Sequence, residues 1–174
     1  AFLAALDWLP NQQGLRWFLD EVWPRIRQQV PAAQFHIAGK NAPPSLKADL
    51  PPGAHFHGFV DDPEVFLDQH GVMVVPLLAG SGLRIKILEA LAGGHPIVST
   101  PIGAEGIQVE DGRHIRLEAE APHFADAVVH LLQNPGVAEE MAAAGQALVR
   151  SHYAWPRLIQ RLAAFYQSLA PASA

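Results

Sequence analysis

Apolar residues recur along the chain in two alternating rhythms. Short unbroken runs at Phe2–Leu6, Phe35–Gly39, His55–Val60, Val72–Leu77 and Pro96–Thr100 read as strands, with a further short strand at His114–Leu117. Between them lie stretches of three- and four-residue periodicity, the mark of a helix with one buried face. The first runs from Asn11 to about Val30 and puts Leu15, Phe18, Leu19, Val22 and Ile26 on one side, with Pro24 predicting a kink or break. Short helices are expected at Pro44–Leu50 and at Pro63–His70, the latter with Asp62 as its cap. A helix at Leu83–Ala92 is closed by Gly93-Gly94, and helices at Pro122–Gln133, Val137–His152 and Pro156–Leu169 complete the chain. Val72–Leu77 is apolar throughout, as a strand buried on both faces must be.

Strand and helix alternate five times, which calls for a parallel sheet with right-handed crossovers. The expectation is an α/β fold: a doubly wound, Rossmann-like parallel sheet of about six strands with helices on both faces and a helical C-terminal extension. No linker divides residues 1–174, so a single domain is expected. The start Ala1-Phe2-Leu3, directly in an apolar run, reads as a domain cut from a longer protein, and Pro171-Ala172-Ser173-Ala174 as a frayed tail.

Charge and composition narrow the function classes. A formal net charge of −5 gives no basic surface for nucleic acid or an anionic membrane. The chain has no cysteine, which excludes disulfides and thiolate metal sites and fits a reducing compartment. No apolar run approaches the roughly 18 residues of a membrane span. Of the nine histidines, His55 and His57 share one face of a strand; the others show no ligand spacing, and no metal site is expected. Trp8, Trp17, Phe18 and Trp23 flank the first helix and read as core or domain interface, and Trp155 and Tyr166 as contacts to another domain.

In an open parallel sheet, ligands sit beyond the carboxyl ends of the strands where the strand order reverses. The order 3-2-1-4-5-6 puts that crevice between the first and fourth strands, at the loops Asp7–Asn11 and Pro76–Gly82. The second loop runs through Gly80-Ser81-Gly82 into the Leu83 helix. Its unhindered N–H groups and the helix start form an anion site suited to phosphate. Arg84 and Lys86 oppose the helix dipole there, which is reasonable if an anion neutralises them; a plain turn with solvated cations is the alternative. Glu89 interrupts an otherwise apolar helix about 60° from Lys86. It suits ribose hydroxyls, or pairs internally with Lys86. The loop Thr100–Ile107 offers further N–H groups and Glu105 at the same edge, or is a plain connection with a solvated Glu105.

These residues carry a resemblance. Gly80-Ser81-Gly82-Leu83-Arg84-Ile85-Lys86-Ile87-Leu88-Glu89, the ungapped continuation to Ile107, Asp7–Asn11, Phe35–Gly39 and His57–Asp61 resemble the C-terminal domain of glycosyltransferase family 4, the retaining enzymes of GT-B fold. The resemblance implies transfer of a sugar from a nucleoside-diphosphate sugar, without cofactor or obligatory metal. It implies that this half binds the donor while an N-terminal domain, absent here, supplies most of the acceptor site. Backbone N–H groups of Gly82 and Leu83 would meet the diphosphate, with Arg84 and Lys86 as the catalytic cations, and Glu89 would hold the ribose. Lys40 and Phe59 would border the base. Gly80, Ser81 and Glu105 complete the implied donor site. The resemblance implies that the acceptor would be a lipid-linked or polysaccharide chain, as in polysaccharide or glycoconjugate biosynthesis, and the location cytoplasmic or peripheral at the inner membrane through the missing domain. The isolated domain would then be inactive.

The chain departs from the family at two places. The family pattern Glu-x7-Glu ends at Glu89, but eight residues earlier stands Ser81. The Arg and Lys that grip the diphosphate from the first-strand region also have no match, and Arg84 and Lys86 stand in for them. A nucleotide-sugar epimerase or phosphorylase of the same fold, or a non-catalytic nucleotide-binding module, remain the alternative readings.

Overall fold

The computed structural model describes residues 1–44, 46 and 49–169. Six strands, all paired in parallel, form two three-stranded groups. In the first, β1 (Phe2–Leu3) pairs with β2 (Phe35–Ala38), which pairs with β3 (Ala54–Gly58). In the second, β4 (Met73–Val75) pairs with β5 (Ile97–Ser99), which pairs with β6 (Arg116–Leu117). The Ala1 backbone joins the two groups: its carbonyl accepts from the Val74 N–H at 2.8 Å, and its nitrogen donates to the Val72 carbonyl. Side by side, the strands run 3-2-1-4-5-6, the order expected from the alternation of elements.

Helices cover both faces. On one side α1 (Leu9–Trp17), a π-helical segment (Phe18–Val22), α2 (Trp23–Gln29) and α5 (Ala121–Gln133) pack on Phe2, Phe35, Ile37 and Val74. Leu15, Phe18, Leu19, Val22 and Ile26 are all buried there, as their spacing predicts. On the other side α3 (Pro63–Asp68), α4 (Ile85–Gly93) and α6 (Pro135–His152) enclose Met73, Val75, Leu77, Ile97 and Ile115. The last helix, α7 (Trp155–Leu169), follows α6. The strand at Val72–Leu77 is buried at Val72–Val75 and Leu77, although its paired part is only Met73–Val75. The helix expected over 44–50 and the tail 171–174 fall partly or wholly outside the described residues.

Local chemistry accounts for the element ends. Asp62 caps α3, accepting from the Glu64 and Val65 N–H groups at 2.9 and 3.2 Å. Gly94 adopts φ 80°, in the left-handed region, to end α4. The regular helix is interrupted just before Pro24, in line with the sequence expectation: α1 gives way to the π-helical segment at Phe18, and α2 begins at Trp23 with Pro24 in its first turn. A proline lacks the N–H that would bond to the carbonyl four residues back, and its ring crowds that carbonyl. The preceding turn relaxes instead into the π-segment, where Trp23 N–H reaches back five residues to the Phe18 carbonyl.

At Gly14, α1 comes so close to the chain leaving β4 that a Cβ would stand 2.2 Å from the Pro76 carbonyl oxygen. Neither neighbour is a flexible side-chain end, so the helix itself must retreat. Gly14→Ala is therefore expected to lower stability by about 1–3 kcal/mol, the usual range for overpacking. Urea unfolding monitored by circular dichroism checks this, and an unchanged midpoint would refute the close approach.

Candidate functional site

The strands wind outward in both directions from the β1–β4 seam, so the loops leaving β1 and β4 diverge and open a crevice. A cleft of about 400 Å³ lies there. Trp8 and Asn11 line it after β1, Lys40 after β2, Phe59 after β3, and Arg84 and Lys86 at the head of α4. Its walls are apolar: Phe59, Leu83 and Ile85 stand 68%, 48% and 62% exposed around it. Large apolar side chains left open beside a few convergent polar groups are the usual make-up of a small-molecule site.

The polar centre is Arg84. It is only 8% exposed, yet among the described residues its Nε and Nη2 have no hydrogen-bond partner. Its Nη1 donates to the Ser81 and Gly82 carbonyls at 2.5 and 2.7 Å, and its guanidinium lies 5.2 Å from the centre of the Trp8 ring. Leaving buried charged donors unsatisfied costs about 1–3 kcal/mol or more each. Gly80, at φ 126°, makes the fit possible: a Cβ there would fall 2.7 Å from Arg84 Nη2 and 2.9 Å from the Trp8 ring.

Arg84 is the N-cap of α4, one residue outside the helix, and supplies no side-chain cap. Lys86 is the second helical residue. The first-turn N–H groups thus lack a capping side chain, and helix starts leave such groups without intrahelical acceptors. Lys86 is half-buried: its Nζ lies 3.4 Å from Asn11 Oδ1 and 5.3 Å from the centre of the Phe2 ring. Burial first, and then the Arg84 charge, bring its pKa down from 10.5 to about 8. Asn11 is buried and held by its side-chain N–H to the Ala5 carbonyl at 2.8 Å. It is a fixed acceptor that the sequence reading did not single out.

The other expected residues divide. Lys40 and Leu83 line the cleft with Phe59, Arg84 and Lys86. Gly80, Ser81 and Gly82 form the turn behind Arg84. Glu89 is exposed on α4 and, among the described residues, makes no ion pair, so neither a buried carboxylate nor an internal Lys86 pair is found. Although the helix is apolar apart from Lys86 and Glu89, one face of α4 is open to solvent at Ile85 and Glu89. Glu105 is exposed on the loop after β5, which approaches the site where a Cβ on Gly106 would stand 3.7 Å from Leu83 Cδ1. Neither carboxylate lines the cleft. Trp8 is not core: it is 39% exposed and stacks on Arg84. The signal for it was there in the loop Asp7–Asn11, one of the two at the reversal of strand order.

A family model described as "Glycosyl transferases group 1" matches residues 1–134. The phosphatidyl-myo-inositol mannosyltransferase of Mycobacterium leprae is 27% identical over 166 residues, 91% of this chain and 44% of that protein. The chain spans less than half the length of the curated relatives it matches. S. aureus TarM, solved with Fondaparinux, alpha-GlcNAc-glycerol and UDP, superposes with a TM-score of 0.78 at 16% identity, over 92% of this chain and 34% of TarM. The C-terminal domain of the group 1 protein LpcC from Francisella tularensis gives 0.68 at 19% identity, covering 89% of this chain and 84% of that domain. With its matched residues spanning every strand and the whole cleft, the chain belongs to the group 1 glycosyl transferases and has the fold of their C-terminal domain.

Proposed function

We propose that this chain is the donor-binding half of a retaining glycosyltransferase of family 4, and that its cleft takes a nucleoside-diphosphate sugar. The observation that carries the reading is Arg84, buried with two unpaired N–H groups beside an uncapped helix start. A diphosphate would satisfy those donors and neutralise both Arg84 and Lys86. The leaving nucleoside diphosphate gains negative charge as the sugar departs, so the same cations stabilise the transition state. Gly82 and Leu83 N–H groups would complete the anion cradle, and the Lys40 and Phe59 side chains would flank the base. Glu89, one turn deeper on α4, and Glu105 both stand in solvent outside the lining of the cleft, from where they would meet the donor's outer edge, Glu89 at the ribose.

Ser81 stands where the family often has a carboxylate. Its carbonyl, rather than its side chain, is engaged, accepting from Arg84. Arg84 would thus serve both to shape the loop and to hold the phosphate. The acceptor, lipid-linked or polysaccharide, would be bound chiefly by an N-terminal domain. The outward face of α7 suits such a partner, with Trp155 77%, Ile159 60%, Leu162 55% and Phe165 58% exposed. An apolar stripe of this kind is rarely left in water. No helix among the described residues is long and apolar enough to cross a membrane.

Titration of this chain with UDP, GDP and ADP, free and as sugar conjugates, tests the reading. One base series is expected to bind in the micromolar range, and Arg84→Ala to weaken it at least about tenfold, the equivalent of 1.4 kcal/mol. Arg84→Lys is not expected to restore it, since an ammonium lacks the planar fork. Binding no better than millimolar by all three, with Arg84→Ala silent, would sink the proposal.

The pH dependence follows from Lys86. With its pKa lowered to about 8, the ammonium is charged below that pH and neutral above it. Nucleotide affinity is therefore expected to be greatest below pH 8 and to fall as pH rises through 8, and the fall should vanish in Lys86→Met. A flat profile in the parent chain between pH 7 and about 9.5 would show that Lys86 does not face the phosphate.

A third expectation concerns turnover. The isolated chain should bind nucleotide yet transfer no sugar, because the acceptor surface lies elsewhere. Radiolabelled donor and a panel of glycan and lipid acceptors provide the assay, and sustained transfer by the chain alone would contradict the division of labour.

A further inference from the structure

On the edge of the sheet away from the β1–β4 seam, histidines far apart in the sequence come together. Ring nitrogens of His36 on β2, His57 on β3 and His70 in the turn after α3 all lie within 4.8 Å of one another. His36 Nδ1 and His57 Nε2 are 2.9 Å apart, and the His36 and His70 rings lie 4.1 Å apart between centroids.

The backbone builds this arrangement. The β2–β3 pairing runs Phe35 to Ala54, His36 to His55 and Ile37 to Phe56, then jumps to Ala38 opposite Gly58. His57 is the extra residue of a bulge, and Gly58 at φ 76° permits the irregular backbone beside it. His70 is fixed by two bonds to α3: its N–H to the Leu67 carbonyl at 2.9 Å and its ring Nδ1 to the Phe66 carbonyl at 2.5 Å. The Phe66 ring packs against both His57 and His70, at 5.5 and 4.5 Å between centroids.

Tautomers follow from the partners. A carbonyl can only accept, so His70 carries its proton on Nδ1 and presents a bare Nε2 lone pair. A metal-ligating histidine commonly has this arrangement, its second nitrogen donating to a backbone carbonyl. Between His36 Nδ1 and His57 Nε2, 2.9 Å apart, two facing lone pairs would repel. In the neutral pair an N–H of one ring donating to the lone pair of the other satisfies that contact, and a bound metal ion would take the place of that proton. The tetrahedral bond length of about 2.0–2.1 Å for zinc and imidazole puts ligand nitrogens about 3.3 Å apart, so the three rings need shift by little to enclose one ion.

We propose that His36, His57 and His70 form a three-imidazole site for a borderline divalent transition ion such as Zn²⁺, with a fourth position open to solvent beside exposed His57. A donor set of three nitrogens and no carboxylate selects this class over Mg²⁺ or Ca²⁺, which take oxygen ligands. His55 belongs to the stack on His36 but is engaged by Gln34 through its Nε2, at 2.6 Å from Oε1, and stays outside the set. A bound ion would tie edge strand β3 to β2 and to the turn after α3. Because it would bind the folded arrangement, it would raise the melting temperature by mass action.

The test uses the chain stripped of metal with a chelator and titrated with Zn²⁺ by calorimetry, alongside thermal melts. The expected result is saturable binding of one equivalent with a rise in Tm. His57→Gln and His70→Gln should each weaken it about tenfold or more, and His152→Gln should not. Circular dichroism confirms that the variants fold. Should either variant unfold, Co²⁺ added to the parent chain decides: visible bands of a low-coordinate imidazole site support the proposal, and a spectrum like that of the hydrated ion overturns it. Absence of saturable Zn²⁺ binding, or binding indifferent to both folded variants, would also overturn it.

Discussion

The seam between β1 and β4 governs this molecule. Two backbone bonds of Ala1, its carbonyl to the Val74 N–H and its nitrogen to the Val72 carbonyl, bring together the two groups of strands. From that seam the crossovers wind in opposite directions, because right-handed connections to either side must place helices on opposite faces. The loops at the carboxyl ends therefore part, and the helix entering after β4 points its amino end into the gap. Gly14 against the Pro76 carbonyl sets how tightly α1 closes the far wall. A side chain at either point would move the cleft before it touched any residue that lines it.

The cleft carries strain that the fold alone does not relieve. Among the described residues two of the donor groups of buried Arg84 have no partner, and burial first, then the Arg84 charge, takes part of the basicity of Lys86. Two cations at a helix amino end oppose its dipole and raise the free energy of the domain. Trp8 and the Ser81 and Gly82 carbonyls offset some of that cost by holding the guanidinium from below. On the proposed function, the donors left over would meet the oxygens of a diphosphate.

Much of this was readable from the residues because it depends on period and order. Leu15, Phe18, Leu19, Val22 and Ile26 announce a buried face, and alternating runs announce a parallel sheet whose reversal lies at the Gly80 loop. What escaped depends on three-dimensional pairing. The π-segment before Pro24 is invisible to a 3.6-residue count, because it is the local solution to a missing N–H. Glu89 interrupts a run that is apolar nearly all round, yet one face of that helix is open to solvent, which the run itself does not reveal. Trp8 read as core or domain interface because aromatic residues clustered near it, and its 39% exposure removes only the first of these. The histidines looked scattered because spacing along the chain says nothing about register between parallel strands, which a single bulged residue resets.

That bulge links the two regions of interest. At His57 and Gly58 the third strand leaves its regular pairing, and the change turns one side chain outward toward His36 while the backbone continues into Phe59 and Val60, which line the cleft. A regular strand would give His57 a partner opposite it on β2 and shift every later residue by one, moving Phe59 to the other face. The position of Phe59 at the mouth of the cleft and the grouping of His36, His57 and His70 thus have one cause. Any constraint that holds His57 in place holds, two residues later, the aromatic ring that would flank a bound base.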